Sequence, residues 1–155
     1  FICLFAAFFC AGLFCFAPVQ PLFAENDHEI LSDSLTQVGS VKKGGKITVP
    51  GFYFEDGSSF VNDNLKKYLK NAAASIKKIK YSSIFVDGYT DNLGERKANN
   101  GLSRLRAQAV KKELVRNGIS ASKIKARAYG SSNPIASNNH KNGRIQNRRV
   151  EIIIN

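Results

Sequence analysis

Charge is absent from the first 24 residues and dense in everything that follows: all 23 Lys and Arg and all 12 Asp and Glu lie after Ala24. An apolar stretch of that length has no place on the surface of a small water-soluble domain, so the chain divides into an apolar leader and a charged body. The run Phe1 to Phe16, followed by Pro18, Pro21 and a small residue at Ala24 before Glu25, reads as the apolar and cleavage regions of a secretory signal. No basic residue precedes the run and the chain starts at Phe without any Met, so the start reads as fragmentary. The alternative is a retained membrane anchor, because about 20 apolar residues span a bilayer. Two prolines and Gln20 in the second half argue against it. Cys10 follows Phe8-Phe9 and Cys15 follows Leu13-Phe14, without the small residues that precede a lipid-anchored cysteine.

The body has room for one ordinary domain. Residues 25–45 are polar and carry Ser32, Ser34, Gly39, Gly44 and Gly45, a linker composition, which leaves residues 46–155 as the domain. All three cysteines (Cys3, Cys10 and Cys15) fall in the leader, so the body has no thiol, no disulfide and no cysteine metal site, and its stability must come from an apolar core. The formal net charge of +11 belongs wholly to the body and favours acidic partners. Export removes nucleic acid from that list and leaves anionic lipid head groups or an anionic wall polymer. Weak contact with an anionic membrane surface, sensitive to salt, is the expectation.

Hydrophobic patterning gives the order of elements. Ile47, Val49, Phe52 and Phe54 alternate through Lys46 to Glu55, interrupted by Pro50-Gly51, as in an edge strand. From Phe60 to Lys80, Val61, Leu65, Leu69, Ala72, Ile76 and Ile79 recur at helical steps with lysines between them; Ser58, Ser59 and Asn62 are all candidate caps. Ile84-Phe85-Val86 reads as a buried strand running into the polar turn Asp87 to Asp91, and Gly94 and Gly101 mark a loop after it. A second helix is expected to be capped by Ser103, to bury Ala107, Val110 and Leu114, and to end at a left-handed Gly118 with Leu114 against Ile119. Ile124 to Tyr129 gives a third strand, Gly130 to Gly143 a turn-rich stretch, and Arg148 to Ile154 a last strand. Strand, helix, strand, helix, strand, strand is an α+β sandwich with helices packed on a sheet.

Nothing in the body assembles a catalytic centre. His28 and His140 stand far apart in polar surroundings and no Ser sits in a Gly-x-Ser-x-Gly elbow, so neither an enzyme nor a metal or cofactor site is expected. The informative constellation is Gly88-Tyr89-Thr90-Asp91-Asn92-Leu93-Gly94, then Asn99, Leu102-Ser103 and Arg106-Ala107, then Gly143-Arg144 and Asn147-Arg148-Arg149-Val150-Glu151. In order and spacing this resembles the OmpA-like peptidoglycan-binding domain family, over about Phe52 to the C-terminus.

The resemblance implies a βαβαββ-type domain in the periplasm or outer membrane of a Gram-negative-type bacterium. It also implies binding to the diaminopimelate of the peptidoglycan stem peptide. Such a ligand presents an ammonium and a carboxylate on one carbon, so its binder needs an anionic acceptor beside a guanidinium, and Asp91 and Arg106 supply the two. Arg106, read as lying in the first turn of the second helix, would have the helix dipole behind it. Supporting contacts fall to Thr90, Asn99 and Arg148 by their motif positions. Two departures stand out: Gly57, where some relatives have Asn, and His140-Lys141, where acidic residues are expected. The expected role is to tether the outer membrane or another envelope protein to the wall. The alternative is an inner-membrane-anchored protein, like flagellar stator proteins that carry a similar domain.

Overall fold

A computed structural model of the protein describes residues 41–54 and 57–155. The leader and residues 25–40 of the linker lie outside the described residues, as do Glu55 and Asp56. In β1 (Lys46–Pro50) the alternation seen in the sequence decides the sides, with Ile47 and Val49 buried and Lys46 and Thr48 exposed. A 3₁₀ turn, Gly51–Tyr53, follows where Pro50 ends the strand. The chain continues through α1 (Asp63–Lys77), β2 (Ile84–Tyr89), α2 (Arg96–Arg116), a second 3₁₀ turn (Ala121–Lys123), β3 (Ile124–Gly130), α3 (Lys141–Asn147) and β4 (Arg149–Ile154).

The four strands form one mixed sheet in the order β1-β4-β2-β3. β4 runs antiparallel to both β1 and β2, and β2 runs parallel to β3. One face supplies Ile47, Val49, Ile84, Val86, Ile124, Val150, Ile152 and Ile154 to the core. Against it pack Leu65, Leu69, Ala72 and Ile76 of α1 and Ala107, Val110 and Leu114 of α2. The expected α+β sandwich with helices on the sheet is therefore the observed one.

Local signals set most of the boundaries. Of the three candidate caps for α1, Asn62 is used: its Oδ1 accepts the Leu65 N–H at 2.9 Å, which shortens the helix from the expected Phe60–Lys80. The end of α2 follows the expectation. Gly118 takes φ +89°, its N–H donates to Val115 O at 2.9 Å, and the Ile119 N–H reaches back to Leu114 O at 3.1 Å, with both apolar side chains buried.

The start of α2 is a correction. The helix begins at Arg96, after Glu95, and runs through Gly101 and Ser103. Ser103 is fully buried inside it and caps nothing. Its hydroxyl donates to Asn100 O and accepts the Gly130 N–H, both at 3.0 Å, joining α2 to the end of β3. Asn99, in the stretch read as a loop, is held in the first turn by donating to Leu93 O at 2.9 Å, a contact that outweighs the weak helix preference of Asn-Asn-Gly. α3 was read only as turn-rich chain. Buried Asn147 secures it: Oδ1 accepts the N–H groups of Ile135 and Ala136 at 2.8 and 3.0 Å, and Nδ2 donates to Ala136 O at 2.8 Å.

The sheet face turned away from α1 and α2 is mostly polar, and Asp87, Arg149 and Glu151 on it are buried. Arg127 meets Asp87 through two bonds of 2.7 and 2.6 Å, and Arg149 meets Glu151 at 2.8 Å, with Lys46 joining at 3.2 Å. Burial alone would raise Glu151, but Arg149 and Lys46 hold it below the ordinary carboxylate range. Tyr89 stacks on Tyr129 at 5.1 Å, beneath the Arg149 guanidinium at 3.9 Å.

Two tyrosines make the stability sensitive to alkali. Burial pushes Tyr68 up to about 12, with Tyr53 adding to it. Tyr89 is likewise pushed up to about 12 by burial, helped by the Glu151 and Asp87 carboxylates. An unfolded tyrosine ionises near about 10, so the folded state holds these protons more tightly. Their contribution is complete below that value and is lost as the pH rises toward about 12. The urea midpoint is expected to fall between about pH 10 and pH 12, following tyrosinate absorbance, and to fall less steeply in Tyr89→Phe. An equal fall in Tyr89→Phe would remove Tyr89 from the explanation.

Candidate functional site

β2 delivers the site. Past its end the Thr90 N–H still donates to Gly130 O at 2.7 Å, which carries the chain rigidly as far as Asp91. Thr90 Oγ1 then donates to Asp91 O at 3.0 Å, and Asp91 Oδ1 accepts the Leu93 N–H at 3.1 Å, closing an Asx turn. Asn99 pins the far side of that turn through its bond to Leu93 O, so the 90–94 loop is held by both the strand before it and the helix after it. Gly94 completes the bend at φ +82°.

Arg106 enters from α2. It is the largest fully buried side chain among the described residues, 1% exposed, with Nε donating to Ser58 O at 2.8 Å and the guanidinium 5.1 Å from the Phe54 ring centroid. Arg148, the residue before β4, brings its Nε to 3.8 Å from Asp91 Oδ2.

The fold brings all five residues singled out in the sequence, Thr90, Asp91, Asn99, Arg106 and Arg148, to the wall of one open cleft of about 590 Å³. Gly57, at φ +71°, also lines it, in a conformation that Asn adopts more readily than most side chains. One expectation fails. Arg106 lies near the middle of α2 and not in its first turn, so free N–H groups of the helix start do not stand behind it. The error follows from placing the helix cap at Ser103, eight residues after the observed cap at Glu95.

The cleft also contains residues that motif reasoning missed. Leu93 and Leu105 line it and are 59% and 53% exposed, an apolar rim beside the charged floor. The signal was there to read: Leu93 is the single large apolar residue in a turn of polar and Gly residues. A carboxylate and two guanidiniums lining one cleft, beside apolar side chains, can hold a zwitterionic head at the end of an aliphatic chain. Among the described residues no group of three His, Cys, Asp or Glu comes together as a metal site.

Comparison with known proteins agrees with this geometry. Residues 53–148 match the OmpA family. The chain is 37% identical over 101 residues to the probable lipoprotein YiaD of Escherichia coli, which is 65% of this chain and 46% of that protein. It is 38% identical over 106 residues to the peptidoglycan-binding protein ArfA of Mycobacterium tuberculosis, 68% of this chain and 32% of that protein. The chain thus spans less than half the length of these relatives. Among solved structures, the periplasmic domain of Helicobacter pylori MotB superposes with a TM-score of 0.66 at 30% identity, covering 74% of this chain and 75% of that one. Motif order, sheet topology and a match over more than half of the sequence agree, and the chain belongs to the OmpA family.

Proposed function

We propose that the chain binds peptidoglycan without covalent chemistry, by clasping the diaminopimelate of the stem peptide in the Asp91–Arg106 cleft, and so tethers the outer membrane or an envelope partner to the wall. Members of this family are structural and non-catalytic, and so is this chain. One observation carries the reading: five residues from the turn after β2, from α2 and from the entry to β4, far apart in sequence, converge on one cleft with opposite charges side by side. Asp91 accepts the ligand ammonium, Arg106 pairs with the carboxylate, and Leu93 and Leu105 pack along the methylene chain. Thr90 and Asn99 hold the Asp91 turn. Arg148, 3.8 Å from Asp91, closes the remaining side. Support comes from the peptidoglycan-binding relative named above, and from the peptidoglycan-associated lipoprotein of Burkholderia pseudomallei, which superposes with a TM-score of 0.60 at 27% identity. The relatives include outer-membrane and periplasmic proteins, which fits an envelope location.

Sedimentation with insoluble peptidoglycan tests the proposal when the free diaminopimelate carboxylate is compared with its amide. The clasp requires a carboxylate, so amidation is expected to weaken retention by about ten- to a hundredfold, the worth of one charge-assisted pairing. Equal retention on both polymers would remove diaminopimelate recognition from the proposal. The likeness to the MotB periplasmic domain favours a second reading, a protein fixed in the inner membrane by its leader. The N-terminal residue of the processed protein separates the two: Glu25 supports release of the leader, an intact start supports anchoring.

A further inference from the structure

Part of the body's basic charge gathers at one end of the sheet. β2 and β4 put Asp91 and Arg148 at one end of the sheet, and the opposite end holds the start of β2 and β3, the ends of α1 and α2, and the end of β4. Six exposed lysines lie at that opposite end. Lys77, Lys78 and Lys80 come from the end of α1 and the turn after it, and Lys42 and Lys43 from the turn whose next residue, Gly44, donates to Ile154 O at 2.8 Å. Lys123 comes from the 3₁₀ turn before β3 and lies 4.8 Å from the Tyr81 ring centroid.

Among the described residues none of these six lies within ion-pair distance of a carboxylate. The carboxylate on the adjoining end of α2, Glu113, is already matched by Arg116 at 3.3 Å. Complementing a helix dipole would account for Lys77 and Lys78. It does not account for Lys42, Lys43 and Lys123, which sit on other elements of the same end.

We infer that this lysine end docks on an anionic phospholipid surface while the cleft at the other end faces away from it. The inference adds a second binding surface to the wall-binding reading and does not depend on it. Two further observations point to lipid as the occupant. The residues before Val41 join the domain at this end, so a membrane that holds the uncharged stretch 1–24, whether during export or as a retained anchor, would meet the lysines first. Tyr81 beneath Lys123 adds a half-buried aromatic ring of the kind that sits well at a bilayer interface. The two ends are also separated. Arg106, which lines the cleft, stands ten residues before the end of α2, a rise of about 15 Å and about twice the screening length of about 8 Å at physiological salt.

Flotation of the full chain with vesicles of phosphatidylcholine alone, and of phosphatidylcholine and phosphatidylglycerol in equal parts, tests this. The apolar stretch contributes to both, so the difference between the two isolates charge. Each lysine near an anionic surface is worth about fivefold in binding. Neutralising Lys42, Lys78 and Lys123 together to Gln is therefore expected to reduce the phosphatidylglycerol-dependent part about a hundredfold and leave retention by peptidoglycan unchanged. A control with Lys66, Lys67 and Lys70 changed to Gln removes the same charge from elsewhere on α1 and is expected to lose far less. Equal losses in the two triple variants, or no preference for phosphatidylglycerol in the parent, would overturn the inference. If the chain bound lipid as expected and failed to sediment with peptidoglycan, only the wall-binding reading would fall.

Discussion

Arg106→Lys is expected to weaken sedimentation with peptidoglycan by about ten- to a hundredfold, nearly as far as Arg106→Ala. The reason is geometric. Arg106 already spends Nε on the Ser58 carbonyl at 2.8 Å, and a guanidinium can hold that bond while its other nitrogens meet a carboxylate. A lysine ammonium has three donors on a single nitrogen and cannot meet a carboxylate with two parallel bonds. Asp91→Asn is the companion variant. The amide keeps an oxygen for the Leu93 N–H and so preserves the turn, but it removes the charge that would attract the ligand ammonium. A loss of similar size is expected, with stability within about 1 kcal/mol of the parent, because the ion pair given up with Arg148 is long and partly exposed. Arg106 is buried, so its replacement also costs about 1–3 kcal/mol of stability, and urea unfolding must accompany the binding measurement. The assignment fails if both variants sediment like the parent while folded.

Gly88→Ala is expected to destabilise the domain strongly. Gly88 sits in β2 directly under α2, and a Cβ there would overlap the carbonyl oxygen of Ser103. A flexible side chain could swing aside, but this neighbour is the backbone of a helix packed along its length. Overpacking of this kind costs about 1–3 kcal/mol when the surroundings can shift, and rigid surroundings place this site at the upper end or beyond. The second effect is functional. Pushing α2 away from β2 separates Arg106 from Asp91, so any folded fraction should bind the wall poorly even where unfolding is incomplete. Circular dichroism through a thermal ramp, together with sedimentation below the midpoint, reads both effects. An alanine variant with the parent's midpoint would mean that α2 can lift without loss.

The sequence showed most clearly what depends on neighbours along the chain. The alternation of Ile47 and Val49, the helical spacing of Leu65, Leu69, Ala72 and Ile76, and the Gly118 ending are all local, and the structure repeats them. The site residues were legible for another reason, the spacing of Gly88 to Gly94, Asn99, Arg106 and Arg148 in a resemblance, and the fold does bring them to one cleft. Contacts across the sheet were hidden. Ser103 looked like a helix cap because hydroxyls favour that position, but its partner is the N–H of Gly130, which no local pattern discloses. α3 escaped notice because Ile145 is its one apolar residue, and its support comes from Asn147 and the packing of Gly143 against Ser137. Arg106 was placed on the right helix but in the wrong turn, because the early part of α2 is stabilised by Asn99 and not by its own composition.

β4 is the last strand in the sequence and yet lies between β1 and β2 in the sheet. Lys46 is opposite Ile153, so β1 has no strand beside it until nearly the whole domain has been made and brought together. Closing a loop of that size has to come before its contacts can reward it, which places folding in the slow range for small domains, about milliseconds to seconds. β1 and the free edge of β2 then wait as open edges, each able to accept a strand from another molecule. The time between the emergence of β2 and the arrival of β4 is therefore the interval in which this chain is most exposed to misassembly, and a helper that shields strand edges would act there.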